Sequence, residues 1–270
     1  MNIEDRIIDL LNEEFEGKPK GFKALSEYKF RDRNVPRVTV ILTEMQSDQG
    51  LIRYANYLGF KHIDYNQMLN NASVIGKETH SFIESYIQKN EGYKAPVRQE
   101  VVNCTNAFMD WWKMLNYQCR VEVLGEEQPL TCPWFGGTYD LLLKVDGKVC
   151  LVDFKTSNHI THRYFIQLAA YRYLISFNYS MHIDMLMVLR LCKENGQYEM
   201  VTVDLSIPED YEFIEHCTYA FFSQVNNYYS LARVKHDFNR LMKGSRETVN
   251  VPEDPNEEIK ESDINVEPTE

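Results

Sequence analysis

An Asp-Gly pair, Asp146-Gly147, lies between two apolar runs and constrains this chain more than any other feature. Such a pair readily adopts the positive φ angles of a two-residue hairpin turn, so residues 138–145 and 148–154 are predicted to be antiparallel strands. Both runs are nearly continuous in Leu, Val and Cys, which is typical of strands covered on both faces. The hairpin therefore belongs inside a sheet rather than at the protein surface.

The turn also predicts which polar side chains meet across the hairpin. A two-residue turn places Asp140 opposite Asp153, with Cβ atoms about 4.5–5.5 Å apart. Because side chains alternate, Lys155 lies on the same face. Two carboxylates this close repel each other, so either one holds a proton or a cation lies between them. Divalent Mg²⁺ or Mn²⁺ suits such oxygen ligands, and Lys155 could hold a water or stabilise an anionic transition state. The alternative is a hairpin with ordinary surface charges.

Two predicted helices carry further polar side chains at the spacing of one helical turn. Upstream of the hairpin, His80 and Glu84 could both face one ion. After the hairpin, Gln167 and Tyr171 share one face of a helix predicted over 161–177. Each of these residues could equally be structural. Their proximity to the hairpin makes them candidates for contacts with an ion, a substrate phosphate or a catalytic water.

The rest of the chain predicts an α+β fold, with a central mixed sheet that contains hairpin 138–154 and is flanked by helices. A helical N-terminal subregion is expected over 1–75, a core with a long last helix over 76–243, and a disordered tail over 244–270. Further helices are predicted at 3–16, 48–58, 77–89, 105–115 and from 208 onward, and further strands at 120–124, 183–191 and 197–203. Residues 37–42 are predicted to form a short strand or an extended segment that leads into the fold.

Negative charge is concentrated at the C-terminal end of the chain. The formal net charge is −11, and residues 246–270 hold nine acids and two bases. The rest of the chain is therefore only mildly acidic, and a polyanionic partner would have to meet a local basic patch. The acidic tail could recruit a basic partner, although a solubilising disordered end is the simpler interpretation.

Several patterns concern the location of the protein. No apolar run of about 18 residues occurs, so we expect no transmembrane helix and no membrane partner. The first five residues are acidic and lack a basic and then apolar leader, which argues against a secretory signal. The six cysteines are dispersed without a CxxC pair, so we expect neither a structural zinc site nor an iron–sulfur cluster. These patterns favour a reducing compartment, the cytoplasm, or the host cytoplasm for a viral protein.

Four short elements follow one another in a fixed order along residues 76–191. They are Gly76-Lys-Glu-Thr-His80, Gly137-Thr-Tyr-Asp140, Val152-Asp-Phe-Lys-Thr156 and Gln167-Leu-Ala-Ala-Tyr171. This series resembles the PD-(D/E)XK nuclease superfamily, and most closely its RecB-like branch. That branch includes phage-type exonucleases, CRISPR-associated RecB-like nucleases and the mitochondrial genome maintenance exonuclease. The Asp-x-Lys element alone would be weak, whereas four elements in order around an Asp-Gly hairpin are fairly specific.

The resemblance implies a metal site by position. His80, Asp140 and Asp153 would bind the divalent metal, Mg²⁺ or Mn²⁺. The backbone carbonyl of Phe154 would be a further ligand. Lys155 would be the catalytic lysine.

Four more residues take lesser roles by the same comparison. Gln167 and Tyr171 match the element that helps to position the scissile phosphate. Glu84 and Glu122 lie near the matching elements and are expected to support the metal ligands indirectly.

The function implied is a metal-dependent DNA exonuclease in phage-type recombination, repair or replication. A metal-dependent endonuclease of the same fold is one alternative. A catalytically silent nucleic-acid-binding scaffold is another, although the presence of both aspartates and the lysine argues against it. Residues 1–75 could contribute part of a DNA channel.

The implied partner is DNA, in particular single-stranded DNA. A recombination or single-strand-binding protein could bind through the acidic tail. Four aromatic residues are candidates for stacking on bases, although core packing is the more frequent role for each. They are Tyr54, Tyr57, Trp134 and Phe135.

Overall fold

The structure, a computed structural model, describes residues 28–43, 48–90 and 95–246. The helix predicted over 3–16 and the tail from residue 247 lie outside the described residues. The helices are α1 (Val38–Thr43), α2 (Asp48–Phe60), α3 (Tyr65–Ile87), α4 (Gln99–Gln118), α5 (His162–Tyr179) and α6 (Pro208–Arg246). The strands are β1 (Tyr28–Phe30), β2 (Arg33–Val35), β3 (Val121–Thr131), β4 (Gly136–Val145), β5 (Lys148–Lys155), β6 (Met185–Leu191) and β7 (Tyr198–Asp204).

Strands β3 to β7 form one mixed sheet in the order β3-β4-β5-β6-β7. Neighbouring strands are antiparallel, except for β5 and β6, which are parallel and are connected through α5. Strands β1 and β2 form a separate antiparallel pair. The predicted α+β fold with a central mixed sheet flanked by helices is therefore confirmed.

The β4–β5 hairpin has the predicted register. Its turn residues Asp146 and Gly147 have φ angles of 48° and 92°, in the region that a two-residue turn requires. Five residue pairs extend from the turn and end at Leu141, opposite Val152. Over these pairs the predicted register is confirmed.

Both faces of the sheet are covered, as the apolar runs predicted. Leu142 and Leu151 belong to a core that includes residues of α1, α5 and α6. Leu141 and Leu143 belong to a second core, which includes residues of α3 and α4. Successive side chains of a strand point to opposite faces, so consecutive leucines fill both cores. No described helix combines the length and the apolar character that crossing a bilayer requires.

Residues 37–42 were predicted as a short strand or an extended segment, and this prediction is wrong because most of them form helix α1. The β-branched run from Val38 to Ile41 favours a strand by propensity alone. In the structure Val38, Ile41 and Leu42 are all buried in the core that also contains α5 and α6. Their spacing of three and four residues places them on one helical face. Burial of that face outweighs a propensity difference of about 1 kcal/mol.

Several elements are longer than predicted, and two of them bear on the candidate site. Helix α3 begins at Tyr65 and is capped by Asp64, whose Oδ1 accepts a hydrogen bond from Gln67 N at 3.0 Å. Strand β3 continues to Thr131. The expected division of the chain at residue 75 falls within α3 and stays a prediction. The extension of β3 matters for the site because it places the carboxylate of Glu127 next to β4.

Candidate metal site

Three adjacent strands each contribute one carboxylate to the same region of the sheet. In the β3–β4 register Glu127 lies beside Asp140, between two paired positions. Asp153 of β5 lies one residue beyond the last pair of the β4–β5 hairpin. Helix α3, which packs on α4, adds His80 from outside the sheet. Residues that are far apart in sequence therefore converge through strand pairing.

His80, Glu127 and Asp140 form the tightest group of possible metal ligands. His80 Nδ1 lies 3.4 Å from Glu127 Oε1 and 3.6 Å from Asp140 Oδ1. One ligand atom from each of the three residues lies within 4.8 Å of the other two. Burial lowers the pKa of His80, but Asp140 and Glu127 outweigh this effect and raise the pKa to about 9. Without a bound cation, a protonated His80 balances the two carboxylates.

Asp140 also connects two strands. Its Oδ2 accepts a hydrogen bond from Phe154 N at 2.7 Å. In an uninterrupted antiparallel ladder, backbone N–H groups bond to carbonyl oxygens of the neighbouring strand. Here a side chain takes the place of that carbonyl, just where the pairing of β4 with β5 ends. The expected direct pairing of Asp140 with Asp153 is thus replaced by a side-chain contact with the next residue.

Asp153 and Lys155 form a buried ion pair next to this group. Asp153 is 1% exposed, and its Oδ2 lies 2.6 Å from Lys155 Nζ. Despite this short contact, neither Asp153 oxygen has a partner with hydrogen-bond geometry among the described residues. Burial raises the pKa of Asp153 to about 6, Lys155 opposes the shift and Asp140 adds to it. Burial lowers the pKa of Lys155, but Asp153 and Asp140 outweigh it and leave the pKa raised. Lys155 is therefore a cation.

Aromatic and amide groups complete the surroundings of Lys155. Its Nζ lies 5.1 Å from the centroid of the Tyr164 ring. Gln167 Nε2 donates a hydrogen bond to Tyr171 Oη at 2.9 Å. Burial raises the pKa of Tyr171 well above its usual value, and Asp153 adds to this shift. The Tyr171 hydroxyl is therefore protonated and can donate a hydrogen bond.

Glycine is required at Gly137 because the Tyr171 ring packs directly on β4. A Cβ at this position would lie 2.6 Å from Tyr171 Cε1 and 3.2 Å from Val38 Cγ2. Such contacts are too short for carbon atoms, so a larger residue would push the ring away. Close packing against Tyr171 therefore explains why the Gly137-Thr-Tyr-Asp140 element begins with glycine.

The remaining predicted residues lie outside the tightest group. Glu84 Oε1 accepts a hydrogen bond from Gln88 Nε2 at 3.4 Å. Glu122 is exposed and lies opposite Lys144 in β4. The side chain of Phe154 is buried, and its ring lies 6.0 Å from His80, centroid to centroid, in an edge-on arrangement. The roles assigned to these three residues stay predictions, as do those of the other predicted site residues.

Sequence reasoning missed Glu127. Strand β3 was expected to end at Leu124, because Gly125 and Pro129 interrupt its alternating pattern. A β-bulge just before Gly125 and a φ of 43° at Glu127 accompany the continuation of the strand. The available signal was the pair of acids at 126–127, which a longer strand would carry beside Asp140.

The four candidate stacking residues have different positions. Trp134 and Phe135 are 5% and 0% exposed and belong to the core, so they are not available to stack on bases. Tyr57 is exposed on α2, and Tyr54 lines an open cleft of about 940 Å³. The lining of the cleft includes Tyr164, whose ring centroid lies 5.1 Å from Lys155 Nζ.

Comparisons with known proteins leave the family open. No family model matches the sequence, and no curated protein matches it significantly. The crystal structure of SSO0001 covers 78% of this chain and 79% of its own, with 12% identity and a TM-score of 0.32. A phage-related exonuclease from Haemophilus somnus 129PT covers 59% of this chain and 82% of its own, with 14% identity and a TM-score of 0.29. Similarity at this level carries no functional argument, so the function is argued from the site itself.

Proposed function

We propose that this protein is a metal-dependent nuclease that hydrolyses phosphodiester bonds in DNA. The observation that carries the proposal is the approach of His80, Glu127 and Asp140 to within 4.8 Å, beside the buried pair of Asp153 and Lys155. A cation site next to a positively charged lysine suits a reaction in which negative charge develops on a phosphate.

The residues present fit Mg²⁺ or Mn²⁺. Carboxylate oxygens dominate the possible ligands, and hard divalent cations prefer oxygen. Asp153 Oδ1 is buried without a hydrogen-bond partner among the described residues, so a cation would supply the missing interaction. His80, Glu127, Asp140 and Asp153 would hold the ion, with the Phe154 carbonyl as a further ligand. A bound divalent cation would lower the pKa of a water and polarise a phosphoryl oxygen.

The chain's own residues would orient the substrate. Lys155 is cationic and can hold a water or offset the charge that develops on the phosphate. The protonated Tyr171 hydroxyl can donate to a phosphate oxygen while Gln167 holds it in place. Because these groups are fixed by burial before the substrate arrives, they need no reorganisation during the reaction.

The finer proposal is an exonuclease that acts on DNA ends in phage-type recombination, repair or replication. It is supported by the resemblance of the four sequence elements to RecB-like exonucleases. The open cleft, with Tyr54 and Tyr164 in its lining, offers aromatic rings on which unpaired bases could stack. An endonuclease of the same fold and a silent DNA-binding scaffold are the alternatives.

One experiment separates these functions. The purified chain is incubated with Mn²⁺ and with end-labelled linear single-stranded DNA, linear duplex DNA or circular single-stranded DNA. We expect linear DNA to be shortened from its ends and circles to persist. Cleavage of circles would support the endonuclease, and binding without any cleavage would support the scaffold. EDTA should stop the reaction and added Mn²⁺ should restore it.

Matched variants link the cleavage to the site. Asp153→Asn and Lys155→Met should each lower the cleavage rate about 100-fold or more, since the first removes a charged metal ligand and the second removes the cation that offsets charge on the phosphate. Lys144→Met removes an exposed lysine from β4 and should leave the rate unchanged. Full activity of either site variant would remove the proposed site.

A further inference from the structure

The C-terminal part of α6 carries an apolar stripe far from the candidate metal site in sequence. Up to Tyr228 the helix contributes buried side chains to the core. Beyond it, large apolar side chains recur at intervals of three and four residues, so they lie along one face. The exposed stripe of α6 consists of Leu231, Val234, Phe238 and Met242, which are 39%, 62%, 58% and 43% exposed.

The same part of α6 is basic. Residues 231–246 contain five Lys or Arg residues and one acid. That acid, Asp237, already lies 3.7 Å from Arg240 Nη2 and 3.4 Å from His236 Nδ1. Two copies that packed through the stripe would bring together two helix segments of net positive charge, which costs free energy. A partner for the stripe should therefore be both apolar and acidic.

Residues 3–16 of this chain have that composition. They contain six acids and one base. Their apolar residues, at helical spacing, are Ile3, Ile7, Ile8, Leu11 and Phe15. A helix of 14 residues would be about 21 Å long and the stretch 231–246 is about 24 Å long, so the two surfaces match in length as well as in charge.

The described part of the chain begins close to Leu231, the N-terminal end of the exposed stripe. Arg33 Nη2 donates a hydrogen bond to Pro133 O. Tyr229 Oη, two residues before the stripe, donates to the adjacent Trp134 O at 2.6 Å. Residues 17–27 would therefore link the segment 3–16 to a point close to Leu231. Eleven residues span up to about 36 Å when extended, which is longer than the stripe.

We propose that residues 3–16 form an amphipathic helix that packs on the exposed stripe of α6. The apolar side chains of the segment cover Val234 and Phe238, and its acids lie near Lys235, which borders the stripe. The short path from residue 28 favours an antiparallel arrangement, with Phe15 near Leu231 and Ile3 near Met242. This intramolecular interface is independent of the proposed nuclease activity.

Hydrogen exchange of the full chain, followed by mass spectrometry, tests the proposal. Peptides from residues 3–16 should exchange at least about tenfold more slowly than the same segment as a free peptide. The double variant V234K/F238K should abolish this protection, because it places two charges in the apolar contact. K235E should also reduce it, since an acid at the edge of the stripe would then lie near the acids of the segment.

Two controls make the result decisive. Phe60→Lys changes a phenylalanine of α2 that is more exposed than Phe238 and should leave protection of 3–16 intact. Peptides from β4 and β5 should stay protected in every variant, which shows that the fold persists. Exchange of 3–16 at the free-peptide rate in the unaltered protein would overturn the proposal. So would a dimer by light scattering that dissociates in V234K/F238K, because the occupant would then be a second copy.

Discussion

At the scale of single residues, Glu127 shows how backbone geometry and charge are combined. Its φ of 43° is in the left-handed region, which costs a residue other than glycine about 1–2 kcal/mol. In this conformation Oε1 of the Glu127 side chain lies 3.4 Å from His80 Nδ1. An unfavourable backbone conformation beside a cluster of possible ligands is consistent with a functional constraint on this residue.

We therefore expect Glu127→Gln to weaken Mn²⁺ binding about tenfold or more, because an amide oxygen replaces a charged ligand. Isothermal titration calorimetry on the metal-free protein would measure the change. Glu212→Gln removes an exposed carboxylate from α6 and should leave the affinity unchanged. Equal affinities for the two variants would show that Glu127 is not a ligand.

At the scale of elements, the end of the β4–β5 hairpin depends on a side chain. Asp140 uses Oδ2 to bind Phe154 N and turns Oδ1 towards His80. One carboxylate therefore both terminates a strand pair and contributes to the candidate metal site. The two roles can be separated by substitution, since only one of them requires a negative charge.

Asp140→Asn should preserve the stability of the metal-free protein, because an amide oxygen can still accept from Phe154 N, while Mn²⁺ affinity falls. Asp140→Leu should lower the free energy of unfolding by about 1–3 kcal/mol, since it leaves a buried N–H without a partner. Urea unfolding monitored by circular dichroism compares the two. If both variants lose the same stability, the hydrogen bond does not hold this end of the hairpin.

Helix α1 shows the limit of local patterns at this scale. The run from Val38 to Leu42 has strand propensity, yet the structure buries one helical face of it in the core with α5 and α6. The outcome depends on helices more than a hundred residues further along the chain. Local propensities differ by about 1 kcal/mol and are readily outweighed by burial of several apolar side chains, each worth about 1.5–3 kcal/mol.

At the scale of the whole molecule, two hydrophobic cores hold the described residues together. They cover the two faces of the sheet and extend to Tyr228 of α6. Residues 247–270 contain nine acids, one base and few large apolar side chains. This composition predicts that the segment contributes little buried apolar surface.

Deletion of residues 247–270 should therefore leave the melting temperature unchanged within about 1 °C, as measured by differential scanning calorimetry. Deletion of residues 1–16 provides a contrast, because loss of the proposed contact with α6 should lower the melting temperature. A large decrease on removal of the tail would show that it packs on the folded part.

The sequence by itself determined the hairpin, its register and its burial on both faces. These features depend on the Asp146-Gly147 turn and on the two-residue period of strands, both of which act locally. Tertiary structure decided the helical state of 38–43, the extension of β3 to Glu127 and the hydrogen bond from Asp140 to β5. Each of these features depends on contacts between segments that are distant in sequence. Such contacts form only when the whole fold is assembled, and their combined free energy then exceeds the local backbone propensities.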